Sequence, residues 1–494
     1  MTTSFNFADL FELMVDAVPD RLALVAGEQK RTYAELEERA NRLAHHLSSA
    51  GIAPGEHVGI YAYNGVEWVE GMLALYKIRA VPVNINYRYV EHELRYLFDN
   101  SDITALIFQR EFAPRVAGVL DGLPRLRHLV MADDGTGADV SGLDVVDYEA
   151  VIAESSPARD FEPRTGDDIH LIYTGGTTGM PKGVLWRQED IFFSLCGGID
   201  AYTNERVQRP EQLVERVRGG AGPMVMYAVA PLMHGAGQVA TIRCVIAGDT
   251  VVITPRFDAE EVWRISEREK VNILSITGDA MARPMADALE RLHDQLDLSS
   301  VISVGSSAAI FSPVIKRQLM KLLPNALIID SIGATETGMN GIKVASPDES
   351  VDDAHSGPPT VTASADTIVI DDNYEPIEPG SNAVGRLART GNIPLAYYKD
   401  PEKSAATFLE FEGKRYAIAG DYAKVEADGS IHLLGRGSSL INTGGEKVYP
   451  EEVEGVLKSH AGVFDALVVG VTDERWGERV AALVQPYEGK EPPT

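Results

Sequence analysis

A twelve-residue segment in the first half of the chain carries the strongest pattern in the sequence: Ile172-Tyr173-Thr174-Gly175-Gly176-Thr177-Thr178-Gly179-Met180-Pro181-Lys182-Gly183. We predict that residues 170–173 end a strand, which leads into a loop of glycines and threonines closed by Lys182. Glycine lets a backbone approach a polyphosphate closely, threonine hydroxyls donate hydrogen bonds, and lysine supplies positive charge. The spacing is not the Gly-x-x-x-x-Gly-Lys-Ser/Thr of a Walker loop. The segment therefore predicts a phosphate-binding loop of another kind, against the alternative of a surface turn.

The sequence on both sides of this loop alternates between predicted strands and helices. Near the N-terminus, apolar residues recur every three or four positions, which predicts one face of a helix. These residues are Leu36, Ala40, Leu43 and Leu47. Strand, helix, strand, helix and strand are predicted at His57–Tyr63, Trp68–Ile78, Val81–Ile85, Glu91–Asn100 and Ala105–Phe108. The alternation returns over Val245–Ile253, Asp258–Glu269, Ile273–Thr277, Met281–His293 and Val301–Val304. This order predicts an α/β fold with parallel, helix-covered sheets.

The C-terminal part of the chain has a different pattern of predicted secondary structure. From about residue 366 the pattern changes to short strands and turns, which predicts a β-rich subdomain over about 366–435. After Gly435-Arg436 a glycine-rich stretch precedes a predicted helix at Pro450–His460. We therefore predict an N-terminal domain over 1–435 and a small α+β domain over 436–494. Three segments are predicted as surface connections: Asp133–Gly142, Asn204–Gly222 and Ser346–Pro359.

Composition excludes several classes of function. The 494 residues contain 45 Lys and Arg against 73 Asp and Glu, a net charge of −28, which disfavours nucleic acid and anionic membranes as partners. Two cysteines support neither a disulfide framework nor a cysteine-rich zinc site, and a reducing cytoplasm is the expected location. No apolar run reaches the roughly 18 residues of a membrane span, so no integral membrane segment is expected. The longest run, Pro223–Met233, is predicted as buried core.

Further motifs follow the loop in a fixed order. They are Pro231-Leu232-Met233-His234-Gly235, Gly333-Ala334-Thr335-Glu336, Tyr397–Lys403 followed by Gly420-Asp421, Gly435-Arg436, and Gly444–Glu454. With Thr32–Leu36 near the start, this series resembles the adenylate-forming superfamily of acyl-CoA synthetases and luciferases over nearly the whole chain. The amino-acid sequence of segments such as Gly278–Pro284 is most similar to that of bacterial synthetases for fatty acids and steroid side-chain acids.

The resemblance implies a large α/β N-terminal domain, a small mobile C-terminal domain and a reaction in two halves. A hydrophobic carboxylic acid and ATP would give acyl-adenylate and pyrophosphate, and coenzyme A would then take the acyl group and release AMP. The first half brings an anion to a polyanion, so it needs cations and oriented donors around the phosphates. ATP, Mg²⁺ and coenzyme A are the implied cofactors. A homodimer is left open as the oligomeric state.

The resemblance also implies a role for each matching residue. Lys182, Thr335, Glu336 and His234 would be catalytic, with Glu336 as the Mg²⁺ ligand and His234 as a wall between acyl chain and adenylate. Asp421 would bind the ribose hydroxyls. The remaining nucleotide and cofactor positions are Thr174, Gly175, Gly176, Thr177, Thr178, Gly179, Ser307, Ala308, Ala309, Asp330, Ser331, Ile332, Gly333, Ala334, Arg436, Gly445 and Lys447. Structural roles are the alternatives: a capping Glu336, a packed His234, a turn at Ser307 and a turn residue at Asp421.

Three features depart from the family pattern. Ile332 stands where an aromatic ring commonly stacks on adenine, and Ser438 stands where the hinge commonly has Asp or Lys. The family also carries a catalytic lysine in a Pro-x-x-x-x-Gly-Lys motif of its C-terminal domain. No such motif follows Gly470, and Lys490 lies in a polar tail. The C-terminal domain is therefore expected to be incomplete.

Three other functions stay open from the sequence. Amino-acid activation is disfavoured because residues 231–238 offer no carboxylate for an α-amine. The acyl group could pass to a carrier protein instead of coenzyme A, since Gly444–Lys447 suits either acceptor. A binding protein without turnover would fit the missing lysine.

Six side chains could line an acyl tunnel, with plain core as the favoured alternative. They are Met224, Met226, Tyr227, Met233, Ile276 and Met281.

Overall fold

The computed structural model describes residues 4–175, 179–200, 203–219, 222–309, 311–345, 360–437, 440–443, 446–458, 460, 462–473 and 477–487. Its helices are α1 Phe7–Ala17, α2 Tyr33–Ser49, α3 Val66–Lys77, α4 Glu91–Asn100, α5 Ala113–Val119, α6 Tyr148–Glu154, α7 Gln188–Leu195, α8 Glu211–Arg218, α9 Gly235–Ile246, α10 Ala259–Arg268, α11 Gly278–Leu292, α12 Pro313–Leu322, α13 Pro401–Thr407 and α14 Pro450–Lys458.

The strands alternate with these helices in the first two thirds of the chain and then dominate. They are β1 Leu22–Ala26, β2 Gln29–Thr32, β3 His57–Tyr61, β4 Val81–Asn84, β5 Ile103–Gln109, β6 His128–Ala132, β7 Val145–Asp147, β8 Ile169–Thr174, β9 Lys182–Arg187, β10 Val225–Ala228, β11 Thr250–Ile253, β12 Ile273–Ile276, β13 Ser303–Ser306 and β14 Leu327–Ala334. The later strands are β15 Gly338–Val344, β16 Thr360–Ala363, β17 Thr367–Ile370, β18 Gly385–Arg389, β19 Ala396–Tyr397, β20 Phe408–Phe411, β21 Lys414–Ala417, β22 Asp421–Val425, β23 Ile431–Arg436, β24 Ile441–Thr443, β25 Glu446–Val448, β26 Val463–Asp473 and β27 Gly477–Pro486.

The chain divides into two compact units, and the first comprises Met1–Asp258, Val271–Ser275 and Asn392–Ala405. One of its sheets has the strand order β19-β9-β8-β4-β3-β5-β6-β7, and the strands from β8 to β7 run parallel. The other contains β2-β1-β11-β10-β12. Because parallel strands are covered by helices on both faces, they are almost wholly apolar, and β3 is buried along its whole length. The predicted α/β fold with parallel, helix-covered sheets is confirmed.

Helix α2 shows how the sequence specifies this unit. Thr32 caps its start: the Glu35 N–H donates to the Thr32 hydroxyl, and the Glu35 carboxylate accepts from the Thr32 N–H. The apolar residues on the predicted face of this helix are all 0% exposed, namely Leu36, Ala40, Leu43 and Leu47. The periodic pattern therefore identified both the helix and the face that packs inward.

The second unit comprises Ala259–Lys270, Ile276–Gly391 and Ala406–Thr494. Its main sheet has the order β13-β14-β15-β16-β23-β22-β18-β21-β20, with β17 beside β18. Only β13 and β14 form a parallel pair among these strands, and the later pairs are antiparallel. A smaller sheet, β25-β24-β27-β26, ends the described chain with α14. The predicted β-rich texture is present after residue 360, whereas the domain boundary at 435/436 stays a prediction.

Two sequence predictions need correction. The segment Asn204–Gly222 was expected to be a surface connection, but it contains helix α8, whose Leu213 side chain is buried. Val207 is buried as well, so the many charged residues of this segment obscured more than one inward-facing position. In Val245–Ile253, helix α9 continues to Ile246, and the strand begins only at Thr250, after Gly248 turns the chain at φ +78°. Ser346–Pro359 lies outside the described residues.

Candidate functional site

The phosphate loop connects two antiparallel strands of the first unit. Thr174 at the end of β8 is the register partner of Lys182 at the start of β9, so the predicted loop begins and ends on neighbouring strands. A Cβ atom placed on Gly175 or Gly179 would meet no atom of the described residues within 4 Å, chain neighbours aside. Packing inside the protein therefore does not require these glycines, and their bare backbone leaves space for a ligand. Gly176, Thr177 and Thr178 lie outside the described residues.

Lys182 has a carboxylate partner that no pattern in the sequence predicted. Its Nζ lies 2.6 Å from Asp400 Oδ2, and its side chain keeps 40% of its exposure. The same Nζ stands 5.8 Å from the centre of the Tyr397 ring. Lys182 is thus oriented at the loop by an ion pair that water can reach. Tyr397–Lys403 was recognised only as part of a motif series, and its contact with Lys182 is new.

Asn84 joins the loop strand to the segment that contains His234. Its amide nitrogen donates to the carbonyls of Tyr173, at 2.9 Å, and Met233, at 2.7 Å. Its amide oxygen accepts from the Tyr173 N–H at 2.8 Å. The side chain is only 3% exposed, so these bonds are shielded from water. Sequence reasoning missed Asn84, although a polar residue at the end of the apolar strand β4 was the available signal, because ligands of parallel sheets bind at carboxyl strand ends.

The segment around His234 is held by further buried amides. Asn64 Oδ1 accepts from the Leu232 N–H at 2.7 Å, and Gln238 Nε2 donates to the Leu232 carbonyl at 3.0 Å. Gly237 lets helix α9 begin close to this segment, since a Cβ there would lie 2.5 Å from the Pro231 carbonyl oxygen. His234 itself is solvent-accessible at the N-terminus of α9.

The surroundings of His234 favour the neutral form of its imidazole. The protein atoms around it disfavour its charged form, and the nearby charge of Arg88 adds to this effect, so its pKa lies below the ordinary value of 6.5. A neutral ring suits a wall beside an apolar group better than a cation would. Among the other candidate tunnel residues of this unit, Met226, Tyr227 and Met233 are buried, whereas Met224 is 36% exposed.

In the second unit, Thr335 and Glu336 lie in the tight turn between β14 and β15. The Thr337 N–H donates to the Ala334 carbonyl at 3.1 Å, which closes the turn, and both Thr335 and Glu336 are partly exposed. Gly333 is required in this hairpin because a Cβ there would lie 2.4 Å from the Gly338 carbonyl oxygen. The sequence therefore folds so that Thr335 and Glu336 stand at the tip of a rigid hairpin.

Buried polar groups hold the hairpin from behind. Asn340 Nδ2 donates to Thr337 Oγ1 at 2.9 Å, and both side chains are almost fully buried. The Arg389 guanidinium, 3% exposed, donates to the Met339 carbonyl and to Ser364 Oγ. Burial lowers the pKa of Arg389. Arg389 was absent from the sequence-based predictions, because nothing near it in the chain marks it as a support for β15.

The predicted nucleoside residues on β14 divide between the two faces of the strand. Ser331 is partly exposed and donates through Oγ to the Ser306 carbonyl at 2.9 Å. Asp330 accepts from Lys316 Nζ at 2.5 Å and is 4% exposed. Burial raises the pKa of this carboxyl, and the charge of Lys316 acts against that rise. Ile332 is 9% exposed in an apolar cluster with Val361 and other side chains of the β-rich sheet.

The segment after β13 presents backbone to solvent. The Ser307 N–H donates to the Ile276 carbonyl at 3.3 Å, and Ala308 adopts φ +63°, in the left-handed region that residues with a side chain seldom enter. Ala308 and Ala309 are exposed. Strained, exposed backbone of small residues at the end of a strand is compatible with the predicted contact to a planar base, which stays a prediction.

Asp421 and Arg436 face each other across two antiparallel strands. They are register partners on β22 and β23, and Arg436 Nε donates to Asp421 Oδ1 at 3.3 Å. Burial raises the pKa of Asp421, and Arg436 acts to lower it. The Asp421 side chain is 16% exposed and that of Arg436 43%. Lys447 is exposed on β25, whereas Gly445 lies outside the described residues.

The predicted site residues are divided between the two units. Thr174, Lys182 and His234 belong to the first unit, which adds Asn84 and Asp400. The second unit contains the other predicted positions that the structure describes: Ser307, Ala308, Ala309, the residues from Asp330 to Glu336, Asp421, Arg436 and Lys447. No group of three or more His, Cys, Asp or Glu side chains within the described ranges could hold a metal ion. Glu336 nevertheless matches the usual Mg²⁺ environment of one or two carboxylates completed by phosphates and water.

Comparison with known proteins identifies the family. Residues 11–396 match the family model for AMP-binding enzymes, and residues 452–494 match the model for the C-terminal domain of AMP-binding enzymes. The chain belongs to the AMP-binding enzyme family, whose CoA ligases use ATP and coenzyme A. In the part of the chain that the structure describes, no helix has the length and apolar character needed to cross a membrane.

Two relatives and one solved structure define the similarity. A 3-oxocholest-4-en-26-oate–CoA ligase of Rhodococcus rhodochrous is 52% identical over 492 residues, covering 99% of this chain and 88% of that protein. A medium/long-chain-fatty-acid–CoA/3-oxocholest-4-en-26-oate–CoA ligase of Mycobacterium tuberculosis is 50% identical over 492 residues, covering 100% and 89%. The crystal structure of an anthranilate CoA ligase with anthranoyl-AMP has a TM-score of 0.83 at 24% identity, covering 98% of this chain and 87% of that one. That last match confirms the predicted fold.

Proposed function

We propose that the protein is an AMP-forming acyl-CoA synthetase for hydrophobic carboxylic acids, either medium- or long-chain fatty acids or steroid side-chain acids. One observation carries the proposal: 52% identity over 99% of the chain to a ligase named for a steroid side-chain acid. The second relative, named for both kinds of acid, is 50% identical. At this similarity, the same chemistry and the same class of acid are the expectation.

The reaction proceeds by two displacements. A carboxylate oxygen of the acid attacks the α-phosphorus of ATP, and the bond from that phosphorus to the bridging oxygen breaks, so that pyrophosphate leaves. The thiol sulfur of coenzyme A then attacks the acyl carbon of the acyl-adenylate. The bond to the AMP oxygen breaks, and the thiol proton passes to solvent.

The residues of the first unit fit the polyphosphate side of this reaction. The open backbone at Gly175 and Gly179, with Thr174 and Lys182 beside it, supplies donors and a positive charge. In our proposal Thr177 and Thr178 complete the loop. His234, whose pKa lies below the ordinary value, would form a wall beside the acyl chain. Preoriented donors stabilise the charge that develops on the phosphates, because they need no rearrangement during the reaction.

The residues of the second unit fit the nucleoside side. Thr335 would contact the α-phosphate, and Glu336 would hold Mg²⁺, which supplies positive charge to the phosphates when bound. Asp421 keeps acceptor capacity beyond its single bond to Arg436, as binding of two ribose hydroxyls would need. Residues 307–309 and 330–334 would surround the base. We propose that Gly445 and Lys447 contact the acceptor thiol or nucleotide, and that the mobile domain begins at residue 436.

The test is product formation by the full-length protein. With ATP, Mg²⁺ and coenzyme A, medium-chain, long-chain and steroid side-chain acids should give AMP and acyl-CoA in equal amounts, detected by chromatography. A carrier protein supplied in place of coenzyme A should accept little acyl group. Absence of both products with every acid would overturn the proposal, and transfer to the carrier alone would change the acceptor. We also propose a cytoplasmic location and a homodimer, the latter testable by sedimentation.

A further inference from the structure

A short strand from the C-terminal half of the chain lies beside the phosphate loop. In the first unit, β19 pairs antiparallel with β9, and the Tyr398 N–H extends the pairing by donating to the Gly183 carbonyl at 2.7 Å. Lys399 then turns the chain at φ +54°, in the left-handed region that side chains disfavour. This turn brings Asp400 to Lys182, although 218 positions separate the two residues in sequence.

The contact between the two side chains is close but open to water. Lys182 Nζ and Asp400 Oδ2 are 2.6 Å apart, and the side chains are 40% and 30% exposed. The hydrogen bond and charge of Lys182, together with the N–H of Lys403, hold the pKa of Asp400 below its ordinary value of 3.8. The carboxylate is therefore charged at neutral pH and competes with any other anion for the lysine.

The position of Asp400 is fixed independently of the lysine. Its second oxygen, Oδ1, accepts from the Lys403 N–H at 3.0 Å, at the start of helix α13. Its carbonyl accepts from the Ser404 N–H at 2.9 Å and from Ser404 Oγ at 2.6 Å. Asp400 thus uses one carboxylate oxygen to cap a helix, and its other oxygen points at the lysine of the phosphate loop.

We propose that Asp400 is the resting partner of Lys182: it holds the lysine at the loop of the empty enzyme and yields it to the polyphosphate when ATP binds. The inference rests on the proposed function. An exposed ion pair is weak and exchanges readily, whereas a polyphosphate offers several charged acceptors. When pyrophosphate leaves, the carboxylate takes the lysine back. Asp400 is therefore a positioning residue that also competes with product for Lys182.

The variant Asp400→Asn separates this role from helix capping. Asparagine caps helices about as well as aspartate, so α13 keeps its N-terminal hydrogen bond while the competing charge is lost. The dissociation constants of ATP and of pyrophosphate should both fall by about two- to fivefold, the range set by exposed ion pairs. Isothermal titration of the full-length protein with each ligand and Mg²⁺ measures both constants.

Three further variants isolate the contact with Lys182. In a Lys182→Ala background, Asp400→Asn should leave both dissociation constants unchanged. Asp400→Glu keeps the negative charge, so the dissociation constants of ATP and pyrophosphate should stay closer to those of the unmodified protein than they do in Asp400→Asn. Glu402→Gln removes the same charge from the exposed first turn of α13, and it should change ATP affinity by less than Asp400→Asn does.

The outcomes distinguish the two proposals. If the unmodified protein binds ATP but Asp400→Asn changes neither constant, the role of Asp400 is wrong and the proposed function stands. An equal shift in the Lys182→Ala background would also overturn it, because the effect would then not pass through the lysine. If the unmodified protein binds no ATP, both proposals fail.

Discussion

Two lysines of the first unit contact carboxylates at the same distance, but in opposite surroundings. Lys77 Nζ lies 2.6 Å from Glu12 and 3.1 Å from Glu37, and its side chain is 0% exposed. Lys182 Nζ also lies 2.6 Å from its partner, Asp400, but with 40% of its side chain exposed. Distance alone does not separate the two contacts. Burial does, because water cannot replace the partner of a buried charge, whereas an exposed lysine can change partners.

The buried lysine belongs to a network that joins three helices. Glu12 lies on α1, Glu37 on α2 and Lys77 at the end of α3. Each carboxylate has a second cation, since Arg164 contacts Glu12 and Arg159 contacts Glu37, both at 2.6 Å. All members are thus paired, and the network fixes the helices that cover the sheet. The ion pair of Lys182 with Asp400 involves only two residues, and both side chains are exposed enough for a ligand to reach the lysine.

The largest effect is expected when the buried network is broken. Lys77→Met should lower the free energy of unfolding by about 3–5 kcal/mol, because two carboxylates stay buried without their shared cation. Lys182→Met is the matched control and should lower it by no more than about 1 kcal/mol, as for exposed pairs. Urea unfolding followed by circular dichroism measures both. Equal losses in the two variants would show that burial does not distinguish the contacts.

Removal of the Asn84 amide should affect both folding and catalysis. Asn84→Ala removes three buried hydrogen bonds, to the Tyr173 N–H and to the Tyr173 and Met233 carbonyls, at about 1–3 kcal/mol for each group left unsatisfied. We expect a loss of about 3 kcal/mol in unfolding free energy and a clear fall in kcat/KM for ATP. Asn41→Ala on helix α2 is the control, since that buried amide donates to the Pro157 carbonyl at 2.9 Å. It should lose stability without a comparable loss of kcat/KM.

Lys182→Ala tests whether the exposed lysine contributes to catalysis with ATP. Loss of a charged hydrogen bond to phosphate costs about 1.5–3 kcal/mol, so kcat/KM for ATP should fall about 10- to 100-fold. Lys414→Ala is the control and should leave kcat/KM for ATP unchanged, because it removes an exposed lysine of β21 that lies 5.6 Å from the Tyr416 ring. Steady-state AMP release at varied ATP measures both. Unchanged ATP kinetics in Lys182→Ala would remove this lysine from the site.

The smallest effect concerns acid stability. Burial acts to raise the pKa of Glu12, but Lys77 and Arg164 outweigh it and hold the pKa below the ordinary 4.5. A carboxyl with a lowered pKa adds stability above pH 4.5, and this stability is lost as the pH falls through the pKa in the folded state. Glu12→Gln should therefore flatten the decline of unfolding free energy below pH 4.5, by about 1 kcal/mol. An unchanged acid slope would contradict the assignment.

The sequence predicted the parts of this molecule that depend on local pattern. The apolar face of α2 and the strand leading into the loop both follow from spacing within a few residues. The pairing of Lys182 with Asp400 does not, because it arises from β19 joining the edge of a sheet built much earlier in the chain. Asn84 was missed for a related reason: its partners come from two distant segments.

The measurement that tests the central claim most directly is acid-dependent exchange of labelled pyrophosphate into ATP, without coenzyme A. The full-length protein should exchange label only when a hydrophobic acid is present, and Lys182→Ala should exchange it much more slowly at low ATP. Lys77→Met, assayed at a temperature where it stays folded, should keep an exchange rate near that of the unmodified protein. Two results would contradict the account. One is that no class of acid supports exchange, and the other is that the Lys182 and Lys77 variants lose the same fraction of the exchange rate.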